Sequence, residues 1–146
     1  MGRREEYIDT LTLTKDELYK ARRAQAEIRK NGFIQPDESK LVEGLTAFTT
    51  VLSLMFKLPT PVTLAAGVIS AVGSMIPSEI DTLTSVSHDG EDFLDEVYDF
   101  LYDNPEYDLV EVKLPFLEFI DEGFRIVQGE GIVTGVRIAG SGWILL

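Results

Sequence analysis

His88 is the only histidine in this chain, and it stands in Ser87-His88-Asp89-Gly90-Glu91-Asp92, so any Ser/His/Asp relay would have to use it. Hydrolases of that kind set the serine on a tight strand-to-helix elbow between glycines. No serine here has that setting, and a histidine beside acids in a glycine-containing stretch is expected as a solvated turn residue. The carboxylates of 89–103 raise calcium as a second possibility. A calcium loop alternates its oxygen ligands as Asp-x-Asp-x-Asp-Gly, and this stretch does not; it reads as the outer face of an amphipathic helix. Gly129, Gly131, Gly135, Gly140 and Gly142 are dense enough to suggest a phosphate loop. Phosphate-cradling glycines join a strand to a helix, whereas these separate short apolar runs. They are expected at turns. No catalytic, metal or cofactor site is expected, and the chain reads as non-enzymatic.

Two other groups of residues carry possible binding chemistry. Lys15, Arg22 and Arg29 recur every seven residues, with Arg23 and Lys30 beside them. Such a stripe is either a surface for lipid headgroups or an acidic partner, or it faces the chain's own acidic helix. The second group is Phe56, Lys57, Leu58, Pro59 and Pro61, at the middle of the longest apolar stretch. Lys57 is the one charge among the 34 residues from Gly44 to Pro77.

That stretch dominates the elements that position these groups. Prolines flanking Thr60 cannot continue a helix, because each lacks an N–H and restricts the residue before it, so residues 44–77 are expected as an apolar helical hairpin. The arms offer 12 apolar-rich residues (45–56) and 15 (62–76), short of the ~20 that span a bilayer. Large residues such as Leu41, Leu45, Phe48, Leu52 and Met55 form one stripe. Thr63, Ala66, Gly67, Ser70 and Ser74 form a face of small side chains that permits close backbone approach.

Around the hairpin the pattern is helical up to about 104 and strand-like afterwards. Residues 7–13 suit a short edge strand. Thr14-Lys15-Asp16-Glu17 fits a capping box, opening a first helix to about Lys30 that ends at Asn31-Gly32 in the left-handed conformation. Pro36-Asp37-Glu38 opens the next. Residues 78–90 read as a short helix and a loop ending at Gly90. From Glu91 to Asp103 the apolar set Phe93, Leu94, Val97, Tyr98, Phe100 and Leu101 faces away from six acids, giving a lid for the hairpin. Phe48, Leu52, Val68, Val72, Phe93, Val97 and Leu101 are expected to be buried together. After Pro105, alternation and turn glycines predict a meander of about four antiparallel strands over 106–146. Pro115 should place its strand at an edge, or break it. The terminal run Trp143-Ile144-Leu145-Leu146 should be docked.

Composition limits the partners. Hydrophobic residues make up 45% of 146, which excludes general disorder, and there is no cysteine to form disulfides or a thiolate metal site. Residues 1–57 hold ten basic and nine acidic side chains; residues 58–146 hold three and sixteen. A field of that sign repels phosphate backbones, so no nucleic-acid partner is expected, and attraction to anionic lipid at neutral pH is weak. The start has no apolar run after its basic residues. Secretion would therefore imply a processed N-terminus, and the cytoplasm is expected otherwise.

The expected fold is α+β in a single domain, 1–146: a helical bundle (14–104) around the central apolar hairpin (44–77), then a small antiparallel β-meander (106–146). Over residues 38–103, an apolar hairpin wrapped by amphipathic helices resembles the resting form of pore-forming colicin-type domains. The resemblance implies a membrane-active protein, toxin or bacteriocin-like, that stores its hairpin under the acidic helix and acts on a lipid bilayer. The alternative is a non-enzymatic module that binds a protein partner, its hairpin serving only as core.

Overall fold

A computed structural model describes residues 2–146 and is α+β: five α-helices beside a five-stranded antiparallel sheet. The strands are β1 (Arg4–Leu13), β2 (Tyr107–Phe119), β3 (Phe124–Val127), β4 (Ile132–Ile138) and β5 (Gly142–Leu145). The helices are α1 (Lys15–Ile28), α2 (Glu38–Leu45), α3 (Thr49–Phe56), α4 (Pro61–Val72) and α5 (Pro77–Asp103). The buried apolar residues form one contiguous cluster drawn from both the helices and the sheet.

β2 is the central strand. β1 runs antiparallel along one edge from Arg4↔Phe119 to Leu13↔Val110, so the expected short strand is longer than its apolar part and does lie at the sheet edge. The other edge of β2 is shared: β4 covers Tyr107 to Lys113 and β3 covers Phe116 to Phe119. The last four strands are therefore not a simple meander, because β3 and β4 act as one long interrupted strand. Pro115 sits at the interruption, which corrects its expected edge position. Its carbonyl accepts from the Gln128 N–H at 2.9 Å. Since N–H and C=O of one strand residue point to the same edge, its nitrogen also points into the gap between β4 and β3, where no ladder bond is lost.

Thr14 caps α1 as its sequence requires, its hydroxyl accepting from Glu17 N–H while the Glu17 carboxylate accepts from Thr14 N–H. The helix does not end at Asn31-Gly32. It continues as a π-turn over Arg29–Ile34, and Gly32 has no left-handed φ. A β-carbon at Gly32 would lie 2.5 Å from Val68 Cγ1, so the glycine permits close approach to α4.

The first apolar arm is divided into α2, a 3-10 turn (Thr46–Phe48) and α3, and the bend between this arm and α4 is 64°. Thr60 caps α4 and Pro61 opens it. No single helix among the described residues is long and apolar enough to cross a membrane. Of the residues expected to be buried together, six lie in the core cluster and Phe48 is half-buried against it.

α5 departs most from expectation: residues 77–103 form one helix of 27 residues, with no loop at Gly90. Its underside rests on α1, the π-turn and β3, so it is not chiefly a lid over the apolar arms. Gly90 is helical and buried, and the position needs glycine because a β-carbon there would collide with the Val127 carbonyl and lie 2.9 Å from Gln25 Nε2.

Gln25 is fully buried at the meeting point of α1, α5 and β3. Its Oε1 accepts from Val127 N–H at 2.8 Å, and its Nε2 donates to Val127 O at 2.8 Å and to Ser87 O at 2.9 Å. The amide thus substitutes for a neighbouring strand on the open edge of β3. Gln25→Met keeps the volume but leaves the buried Val127 N–H and C=O unsatisfied, each costing ~1–3 kcal/mol, while Ser87 O keeps its helical bond and loses only the second. Urea denaturation should show a loss of about 3 kcal/mol or more; a loss below about 1 kcal/mol would contradict this assignment.

Candidate functional site

The residues proposed at the tip of the apolar stretch meet the sheet in a charged cluster. α3 ends with carbonyls that have no helical donor. Arg125 of β3 satisfies two of them: Nη2 donates to Leu54 O at 2.8 Å and Nε to Met55 O at 3.1 Å. Its Nη1 donates to Tyr7 Oη (3.1 Å) and Asp9 Oδ2 (3.0 Å), and the guanidinium lies 3.7 Å from the Phe116 ring centroid. With only 5% of its side chain exposed, Arg125 is a buried cation compensated by a carboxylate, a ring face and a helix C-terminus.

Lys57 follows as the C-cap of α3 with φ 75°, the one positive value among described non-glycine residues. A side chain in the left-handed region costs ~1 kcal/mol or more. Its ammonium pairs with Glu118 Oε1 at 2.9 Å, and Tyr7 donates to the same oxygen at 2.6 Å. Lys57 is therefore exposed but not free. Leu58 packs at the margin of the core, and Phe56 is fully buried, so neither is an exposed contact residue. Pro59 is exposed and Pro61 half-buried.

The cluster surrounds an open depression of about 380 Å³ lined by Glu5, Tyr7, Asp9, Lys57, Glu118 and Arg125. Burial alone would raise the Glu118 pKa, but the hydrogen bonds from Tyr7 and Lys57 and the two nearby cations outweigh it and hold the carboxyl below its usual range. Tyr7 is pushed up, first by burial and then by its bond to Glu118. Lys57 is raised chiefly by its bond to Glu118.

The basic stripe is occupied within the molecule. α1 and α5 run antiparallel, bringing Arg29 Nε to Glu91 Oε2 at 2.7 Å, Arg22 to Asp95 at 3.3 Å and Lys15 over the Tyr102 ring at 5.3 Å. Glu91 is nearly buried, and Arg29 binds it through two nitrogens. The pairing with the chain's own acidic helix is the arrangement found. His88 is on α5 rather than in a loop, exposed, 3.4 Å from Asp92. Donor atoms of His88, Asp89 and Asp92 lie within 4.8 Å of one another, all three side chains facing solvent.

A surface missed from the sequence lies at the far edge of the sheet. β5 pairs with β4 through its backbone, yet Trp143 is 45%, Ile144 40% and Leu145 82% exposed. The expected docking of the terminal run is corrected: its ladder is made, but no element covers its side chains among the described residues. The available signal was the absence of any charge over 138–146.

Comparison with known proteins finds no matching family model, no matching curated protein and no matching solved structure.

Because Glu118 has a depressed folded pKa, its pairing stabilises the fold fully above the ordinary value of 4.5 and progressively less as pH falls through the folded value. Lys57 has a raised folded pKa, so its share is present below 10.5 and lost only above that. Glu118→Gln should therefore be less stable than the parent at neutral pH, with the difference narrowing as pH drops below about 4. Chemical denaturation across pH measures this. A difference independent of pH would show that the Glu118 charge contributes nothing.

Proposed function

We propose that this chain is a non-enzymatic protein-interaction module that receives an extended segment along the free edge of β5. The observation that carries this reading is the combination at β5 of unpaired backbone groups and three exposed large apolar side chains, Trp143, Ile144 and Leu145. Sheet edges left open in water are ordinarily shielded by charge, proline or a covering element. β5 has none of these, and strand addition is a recurring mode of peptide capture. On this reading the apolar stretch of 44–77 serves as core, since its large residues Leu45, Leu52, Met55, Phe56, Leu64 and Val68 are fully buried.

The Leu146 N–H donates to Thr134 O, so alternation along β5 turns the N–H groups of Trp143 and Leu145 away from β4. Leu145→Pro thus removes an outward donor and leaves the β4 ladder intact. Panning a displayed library of short random peptides against the parent protein should enrich apolar, strand-forming sequences that fail to bind Leu145→Pro. No enrichment by the parent, held dilute enough to be monomeric, over an unrelated control protein, or equal binding to both forms, would refute strand addition at this edge.

A second reading, a membrane-active protein of toxin or bacteriocin-like type, is favoured by the bent helix pair Glu38–Phe56 and Pro61–Val72, which together have the length and composition of a broken span. Here the Lys57–Glu118 pair would act as a latch that acid opens, freeing the arms for an anionic bilayer. Glu118→Gln should then leak dye from anionic liposomes at a higher pH than the parent. Absence of leakage from both proteins down to pH ~4, below which most carboxylates are neutral, would reject this reading.

A further inference from the structure

Building on the assignment of β5 as the interaction edge, we propose that its partner is a second copy of this chain, the two β5 strands pairing antiparallel about a two-fold axis at Ile144. The backbone supplies the register. Trp143 and Leu145 carry the outward N–H and C=O groups, as their alternation with Leu146 requires. An antiparallel pairing that sets Trp143 of one copy opposite Leu145 of the other satisfies these groups twice, with four N–H···O bonds. Ile144 then faces its own counterpart in the closer, non-hydrogen-bonded pair.

The side chains fit the same register. Ile144 pairs with buried Val136 of β4 and continues the core-facing side of the sheet, while Trp143 and Leu145 lie on the opposite side. Across the axis every contact is therefore apolar against apolar: Trp143 on Leu145, Ile144 on Ile144, Leu145 on Trp143. A self-complementary patch of this kind is what a two-fold interface demands.

Charge selects the same edge. Two copies at net −12 repel each other, and a stable junction must form where neither presents charge. Residues 138–146 contain no charged side chain, and Arg137 beside them is neutralised by Asp108 through two bonds of 3.0 and 2.6 Å. The opposite edge of the sheet, β1, carries Arg4 and Asp9, each paired within the chain, and Glu5 and Glu6, whose carboxylates would meet those of a second β1 as like charges. The sheet can therefore extend at one edge only, and the isologous contact closes at two copies rather than growing into a fibre.

Trp143 is the only tryptophan, so emission reports this edge alone. Sedimentation velocity of the full chain over a wide concentration range should show a monomer–dimer equilibrium, with Trp143 emission moving to shorter wavelength as dimer forms. Leu145→Pro should weaken dimerisation at least about tenfold, by loss of an outward donor. Ile144→Lys, which sets two ammonium groups at the axis, should do the same, both variants keeping the parent's circular dichroism and, at concentrations where the parent is monomeric, its unfolding midpoint. A parent that stays monomeric with unchanged emission would overturn the inference, as would a dimer that survives both substitutions. Failure here leaves a distinct signature from failure of the edge reading: a monomeric parent that still binds library peptides through β5 loses only the self-pairing, whereas a monomer that binds none loses both.

Discussion

A short strand buried on both faces needs a partner along each edge, and β3 has a strand on one edge only. All four of its residues are buried, and β2 pairs with it on one side. On the other side no water or strand can satisfy the backbone of Val127, and the Gln25 amide does so with its one acceptor and both donors engaged. An unsatisfied buried backbone group is expensive enough to decide an arrangement. Through that amide α1, β3 and α5 are held at one point, α5 must present a glycine there, and the basic face of α1 is brought against the acids of α5.

Arg125, two residues earlier on β3, anchors the other half of the molecule. It closes the end of α3 and, through Tyr7 and Glu118, holds Lys57 against the sheet. Gln25 and Arg125 together tie the helices to one four-residue strand. The apolar stretch lies between these anchors, most of its large side chains inward and mostly small hydroxyl and alanine side chains outward, with Leu54, Val62 and Ile76 the large exposed exceptions. At the far edge of the sheet, by contrast, β5 has outward backbone groups and apolar side chains that nothing covers among the described residues.

Local chemistry made part of this legible in the sequence. Thr14 and Glu17 signal a helix start because their hydrogen bonds are local, and Val110, Val112, Leu114 and Phe116 reveal a strand because one face of it is buried. Long-range contacts concealed the rest. Gly90 and the serines and threonines before it resemble a loop, yet they lie on one helix, and Ser87 and Gly90 form the small buried face on which Gln25 and β3 press. Asn31-Gly32 resembles a helix end, but the glycine answers to Val68 from another helix. Pro115 is compatible with a central strand only because two strands share the edge it faces. Trp143 to Leu146 looked like residues seeking a core, since composition cannot distinguish an interior strand from an unguarded edge. For the binding residues, the seven-residue repeat of Lys15, Arg22 and Arg29 was visible, but its partners Tyr102, Asp95 and Glu91 required the α1–α5 pairing to be known.

The central claim, that the apolar stretch is fixed core and β5 the free edge, makes a direct demand on local stability. Native-state amide hydrogen exchange, read residue by residue at low protein concentration, measures it. Amides of Val51, Leu52, Leu64 and Val68 should exchange only through global unfolding, at the same free energy as those of α1 and α5, while the outward amides of Trp143 and Leu145 exchange orders of magnitude faster. Exchange of the α3 and α4 amides through a separate, lower-energy opening would contradict the account and identify the arms as a releasable unit.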